Sequence, residues 1–411
     1  MNMNIDLNSG EVRQNPYPAY DEVRRAGHAV YDPWRNLWSV GRYDDVFEVL
    51  RNNEIFSNKV TGVESTLGGA DGTSHTRSRN IVRAAFSAER IAALDGAIRS
   101  LAEKLASRIA GRETCEFMGE YAVLIPTTVI AWMLGLDDTR PGDLYRWSAV
   151  IIESAGARRH VKKYTRLHGL RSWLEAIFVS TGAGRFIHKK HTDTMKEVAE
   201  CEACLIDHFN RARKKSNGGW IMDLHINGSD GDRLSMKELL DISFLMITAG
   251  TETTTDLIGN AALLLASNPQ IQDYLRDNPE LVEPFIEEVL RYDSPVQRRP
   301  RVAKHPVTIG DVDIPEGAQI EALIGSANRD PEKFPEADQF RLDRNPNRHI
   351  TFGAGPHFCL GAQLARLEAT AALDVLIRKL PKMTLACTVE DLTYPEMLTM
   401  RGPQQLPIKF G

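Results

Sequence analysis

Residues 352–361 read FGAGPHFCLG: one cysteine among three glycines, running straight into AQLARLEATAALDVLIRKL at 362–380, which is apolar at three- and four-residue spacing. No other stretch restricts the chain so much. Gly353, Gly355 and Gly361 permit positive φ and let the backbone approach something flat or bulky. Cys359 falls at the start of the helix that the spacing predicts, where the helix partial charge and free N–H groups favour a thiolate. A lone cysteine in that position is suited to ligate a metal. A structural thiol beside a glycine turn is the alternative that this segment alone leaves open.

The rest of the chain is that of a folded protein with a large core. Of its 411 residues 42% are hydrophobic and 26% charged, which excludes disorder, a collagen-like chain and a disulfide-stapled miniprotein. No linker, repeat or low-complexity tract divides it, so a single domain over 1–411 is expected. The first residues lack the layout of a signal peptide, and no run of about 18 apolar residues occurs; a cytoplasmic protein without a membrane segment is expected. Five scattered cysteines make no disulfide framework and fit a reducing compartment. A formal net charge of −5 argues against a nucleic-acid partner.

Helical periodicity marks residues 88–110, 195–215, 235–267 and 360–380, whereas strand signals are few: LWSVGR near the start, 307–325, and LPIKF at the end. The expected class is mainly α with a small β region. Between them, 326–350 is rich in turn formers and without a period, and a coil of that length in a compact domain is usually functional.

Three more segments carry chemistry. EEVLR places Glu288 and Arg291 at i,i+3; HTRSR places His75 and Arg79 at i,i+4. Each pair is either a solvated helix face or an anchor for something charged. AGTETT at 249–254 puts Gly250, Glu252 and three threonines into an apolar helix where leucine or alanine would pack better. Cys201 and Cys204 form C-x-x-C inside a helical pattern with no second pair, too little for zinc.

In order along the chain, NPYPAYDEVRRAG, HTRSRNIVRAAFS, AGTETT, EEVLRYDSPV, ANRDPEKF and FGAGPHFCLG resemble the cytochrome P-450 family, and the cysteine segment fits its F-G-x-G-x-H-x-C-x-G pattern at every fixed position. The resemblance implies that fold, with haem b between the helix carrying AGTETT and the cysteine-loop helix. It makes Cys359 the axial ligand of the haem iron, which favours O–O cleavage, with Phe352 beside the sulfur and Gly353 and Gly361 shaping the loop. His357, His75, Arg79 and Arg301 would hold the propionates. Glu288 and Arg291 would pair with Arg344 of the coil, Arg329 being a competing partner. Glu252 and Thr253 would deliver protons, with Ala249 and Gly250 leaving room for O2 where the helix widens.

Pocket residues by position are Phe244, Leu245, Val296, Gln297, Arg298, Leu398 and Thr399. Of Arg298 and Arg299 one could meet a substrate carboxylate, exposure of both being the plainer reading. The loop 57–74 is expected to cover the pocket. The implied activity is insertion of one oxygen atom of O2 into a small, largely apolar molecule, by hydroxylation or oxidative demethylation. Electrons would come from NAD(P)H through a reductase and a ferredoxin or flavodoxin, docking on Arg77, Arg83, Arg348 and Arg366 of an expected monomer. A peroxide-driven oxygenase and a non-catalytic haem sensor are the rival readings.

Overall fold

Long apolar periods become helices. The computed structural model describes residues 6–33, 35–59, 67–136, 142–148, 182–215, 220–221, 223, 234–380, 382–396 and 399–411. Its principal helices are α1 (Tyr17–Ala26), α2 (Tyr43–Arg51), α3 (Gly72–Arg83), α4 (Asp95–Ile109), α5 (Leu124–Leu134), α6 (Gly182–Lys215), α7 (Met236–Ser267), α8 (Pro269–Asp277), α9 (Val282–Tyr292) and α10 (Ala362–Lys379). Contacts divide the chain into two compact units, one of Met1–Asn58, Phe86–Pro126 and Thr253–Gly411, the other of Lys59–Ala85 and Thr127–Glu252.

In the first unit α10 lies along α4. Ala369, Ala372 and Leu376 of α10 and Ile98, Ala102, Leu105 and Ile109 of α4 are all buried, and the alanines let the two backbones approach. Each buried leucine or isoleucine there contributes roughly 1.5–3 kcal/mol. Pro381 cannot continue the ladder, and α10 stops just before it.

A five-stranded sheet has the order β1-β2-β8-β5-β3, with β1 Val30–Asp32, β2 Leu37–Val40, β3 Phe56–Ser57, β5 Arg298–Ala303 and β8 Gln319–Leu323. Only β2 and β8 run parallel, Ser39 opposite Glu321; β5 is antiparallel to β8 with Arg301 opposite Ile320. A second sheet pairs β4 (Thr114–Glu116), β10 (Pro407–Phe410) and β9 (Met383–Leu385), and β6 (Val307–Ile309) and β7 (Val312–Ile314) form a hairpin. The core under the first sheet gathers Val40, Val46, Leu50, Phe56, Ile320, Phe334 and Ile350, and Ala354 of the cysteine segment roots that loop in it.

In the second unit Cys201, Leu205 and Phe209 of α6 are buried, and His208 Nε2 lies 3.1 Å from the Leu134 carbonyl. Burial pushes the Cys201 thiol up to about 12. No helix among the described residues is long and apolar enough to cross a membrane. The central part of α7 departs from expectation: the helix runs as regular α from 236 to 267 with no widening at 249–254. Thr248 instead returns its hydroxyl to the Phe244 and Leu245 carbonyls at 2.9 and 3.2 Å.

Candidate functional site

The cysteine segment is fixed by its own backbone. The Gly353 amide donates to Ile350 O (2.8 Å) and the Cys359 amide to Phe352 O (2.8 Å), while Gly355–His357 make a 3-10 turn. Gly353 and Gly355 sit at φ +76° and +67°, the left-handed region that side chains avoid. At Gly355 a Cβ would also lie 2.6 Å from the Arg51 backbone, so the end of α2 presses directly on the loop. Cys359 is the only exposed cysteine, and Phe358 beside it is 43% exposed. Phe352 lies tilted against Phe358 and His349, with the Arg366 guanidinium 4.4 Å over its ring. His357 Nδ1 lies 3.0 Å from the Asn58 amide nitrogen, a partner no local sequence signal points to.

Behind the loop stands a buried ionic knot. Glu288 accepts from Arg291 at both oxygens (2.7 and 2.9 Å), from Arg344 Nε (3.1 Å), Asn347 Nδ2 (3.0 Å) and the Arg341 amide (3.0 Å). Arg291, wholly buried, donates onward to the carbonyls of Asn328, Ala337 and Gln339, which is how the periodless coil is held in order. Arg329, the competing partner, lies between the Tyr17 and Tyr292 rings at 3.7 and 3.6 Å.

Two neighbours escaped the sequence reading. Asn328 donates to Ser294 and Thr351 hydroxyls and accepts from the Ile350 amide, tying the coil to the residue before the cysteine segment. Glu287 binds Arg366 of α10 at both oxygens (2.7 and 3.0 Å) and His349 at 3.2 Å. Burial alone would raise its carboxyl, but His349 and Arg366 outweigh that and hold it down at about 2. The doubled glutamate of EEVLR is the only local hint of this second role.

Other residues expected at the site are distributed as follows. Arg301 is buried on β5, its Nη1 on the Pro300 carbonyl at 2.9 Å. In the second unit His75 is buried on α3 one turn from Arg79, and burial, followed by the Arg79 charge, pulls its pKa down. Ala249 is exposed and Gly250 and Glu252 half-buried on α7, as is Thr253 in the first unit. Gly250 has a packing reason of its own, since a Cβ there would come within 2.6 Å of Ile130 on α5.

Among the pocket candidates Phe244 and Leu245 are half-buried, Val296 is buried and bridges Met400, and Thr399 accepts from the Gln297 amide. Leu398, like residues 60–66 of the expected covering loop, lies outside the described residues. Gln297 and Arg298 are engaged elsewhere. Gln297 is wholly buried, donates to Ser294 O, and sits where a Gly325 side chain would be. Arg298, expected exposed or facing substrate, is buried on Tyr20, the Leu7 carbonyl and Glu321. The strand register turns it toward α1, because Arg298 pairs with Leu323 at the end of β8. Of the basic residues expected at a docking face, Arg77 is paired with Glu238 in the second unit and Arg366 with Glu287 in the first.

An exposed thiol on a glycine-bounded, core-rooted loop, backed by an ion-paired helix and coil, is an arrangement suited to holding a metal ligand in place. A family model described as Cytochrome P450 matches residues 162–401. The chain is 32% identical over 426 residues to a Vitamin D(3) 25-hydroxylase of Pseudonocardia autotrophica, covering 99% of this chain and 96% of that protein. The structure of CYP109Q5 from Chondromyces apiculatus superposes with a TM-score of 0.83 at 30% identity, covering 99% and 98% of the two chains. CYP109E1 from Bacillus megaterium, solved in complex with testosterone, gives 0.82 at 30% identity over 97% and 99%. The chain belongs to the cytochrome P-450 family and is a haem- and O2-using monooxygenase. Its own residues fit haem: one exposed thiol, a soft donor, on a segment with the Phe352 and Phe358 rings, and Arg301 and His357 as polar donors in the same unit.

Proposed function

We propose that this protein inserts one oxygen atom of O2 into a small, largely apolar organic molecule, by hydroxylation or oxidative demethylation. Electrons come from NAD(P)H through a separate reductase and a ferredoxin or flavodoxin. The observation that carries the reading is the placement of Cys359: exposed at the mouth of a loop that two backbone hydrogen bonds and two left-handed glycines hold rigid. Bound haem supplies the iron at which dioxygen is activated.

The chain's own residues do the rest. The loop fixes the backbone of Cys359, and Phe352, with Arg366 stacked on it, is the ring we assign to the side of the sulfur. Arg301 and His357 of the first unit, and Arg79 and His75 of the second, would supply donors to the propionates, the arginines adding fixed charge and planar forks. Glu252 and Thr253 relay protons, the carboxyl as source and the hydroxyl as the last donor. Retention of both is the reason for preferring dioxygen over a peroxide-driven reaction. Arg298, held by Glu321, is taken up and does not serve a substrate carboxylate.

The test is the absorption spectrum of dithionite-reduced protein with carbon monoxide, parent against Cys359→Ser. A strongly red-shifted Soret band in the parent alone is expected. Absence of haem, or identical bands in both proteins, overturns the assignment of Cys359. Turnover of testosterone with NADPH, a ferredoxin and its reductase, but not with peroxide alone, then tests the electron route.

A further inference from the structure

Asn260 is a polar residue in the interior of α7, 1% exposed, in a helix where asparagine is a poor former. Its amide nitrogen is used twice, Nδ2 donating to the Asp293 carbonyl at 2.9 Å and to the Arg401 carbonyl at 2.9 Å, whereas the buried Oδ1 has no partner among the described residues. Those two carbonyls lie 108 residues apart in sequence, yet their segments pair with each other. Val296 bridges Met400, the Gln297 amide donates to Thr399 O (3.0 Å), and the Arg401 amide donates to Pro295 O (2.8 Å).

The joint is closed from outside by charge. Asp293 Oδ1 accepts from Arg401 Nε (2.7 Å) and from the Tyr17 hydroxyl (2.6 Å), and Arg401 also donates to the Arg13 and Gln14 carbonyls. It is closed from inside by shape, for a Cβ on Gly402 would lie 2.3 Å from Asp256 Oδ1, one turn before Asn260. All of these residues belong to the first unit.

We infer that Asn260 is a positioning residue that sets the register between the helix carrying Thr253 and the paired segments 295–297 and 399–401. The inference rests on the reading above that Val296 and Thr399 line the substrate pocket. Thr253 stands seven residues before Asn260, about 10 Å along the helix. A shift of the paired segments by even about 1 Å changes how a substrate is presented to the oxygen-transferring centre. Asn260 does not touch substrate; it acts through the wall.

The experiment compares the haem-loaded parent with Asn260→Leu, with Asn260→Ser as the milder variant should the first not fold, and with Gln272→Leu. Gln272 is a matched control, a buried amide also donating to two carbonyls, of Leu265 and Met383, away from the paired segments. Two quantities are read: hydrogen exchange at the Gln297 and Arg401 amides, and the amplitude of the Soret spin-state shift at saturating testosterone or myristic acid. In the Asn260 variants both amides should exchange about tenfold faster, and the saturating shift should fall by about half with the carbon monoxide band unchanged. Gln272→Leu should lose thermal stability without moving either quantity. Parent-like exchange and amplitude in the Asn260 variants, or equal changes in Gln272→Leu, overturns the inference. If the parent gives no spin-state shift with either probe, the substrate reading fails, and the exchange rates alone decide whether Asn260 joins the segments.

Discussion

Replacing Glu288 by glutamine keeps the shape of the side chain and removes its charge. Five donors converge on the carboxylate, three on Oε1 and two on Oε2. An amide leaves one oxygen and turns the other position into a donor, so at least two of the five face an N–H instead of an acceptor. Arg291, 0% exposed, keeps its charge and loses the compensating one. Removing one partner of a buried ion pair costs about 3–5 kcal/mol, and the stranded donors lie within that figure. The total stability of a domain is about 5–15 kcal/mol, so Glu288→Gln should remove a large part of it. Urea unfolding at pH 7, followed by tryptophan fluorescence and by Soret absorbance, measures the effect; both midpoints should fall together, and haem should be lost at low denaturant. A loss below about 1 kcal/mol would refute the reasoning. It would mean that the carbonyls of Asn328, Ala337 and Gln339 suffice for Arg291 and that Glu288 is not the centre of the knot.

Two carboxyls should respond to pH on opposite sides of about 4.5. Glu287, held at about 2, stabilises the fold above the unfolded value of 4.5 and loses that contribution as pH falls. The difference corresponds to at most ~3 kcal/mol at pH 7, so the stability gap between parent and Glu287→Gln should be about half gone near pH 3; a gap constant from pH 7 to 3 would contradict the ion-pair argument. Glu368, wholly buried on α10, is pushed well above 4.5 by burial, so the folded protein keeps its proton and stability falls as pH rises past 4.5. Glu368→Gln should therefore melt higher than the parent at pH 8 and equal to it near pH 4, checked by melting temperature across that range.

Helix α10, the cysteine segment and the Glu288–Arg291 pair were legible because each is written locally, in a helical period, in glycines that only a tight loop requires, or in charges one turn apart. Arg344, the expected partner of that pair, does bind Glu288; what the coil's sequence left open was Arg329, which the Tyr17 and Tyr292 rings hold instead. Strands of two or three residues such as β3 and β4 are too short to show an alternation. Alternation on β5 does say that Arg298 and Arg299 face opposite ways, but which of them turns inward is set by pairing with β8 and by α1. Gly250 illustrates a different limit: a glycine reads as open space, whereas here Ile130 fills it. Nothing near Asn260 in the sequence announces its role, since its two acceptors lie 33 and 141 residues away.

The discontinuity of the first unit has a consequence during synthesis. The second unit is complete once residue 252 has been made, and its helices can pack while the ribosome is still working. The first cannot close: β2 waits for β8, and the carbonyl of Arg13 waits for a guanidinium 388 residues later. At roughly 5–20 residues per second the N-terminal segment spends on the order of 20–80 s without its partners. During that interval Tyr17 and Tyr20 of α1 lack Asp293, Arg298 and Leu323, and only Leu7, Val12 and Val30 of the same segment are at hand to cover its apolar stripe.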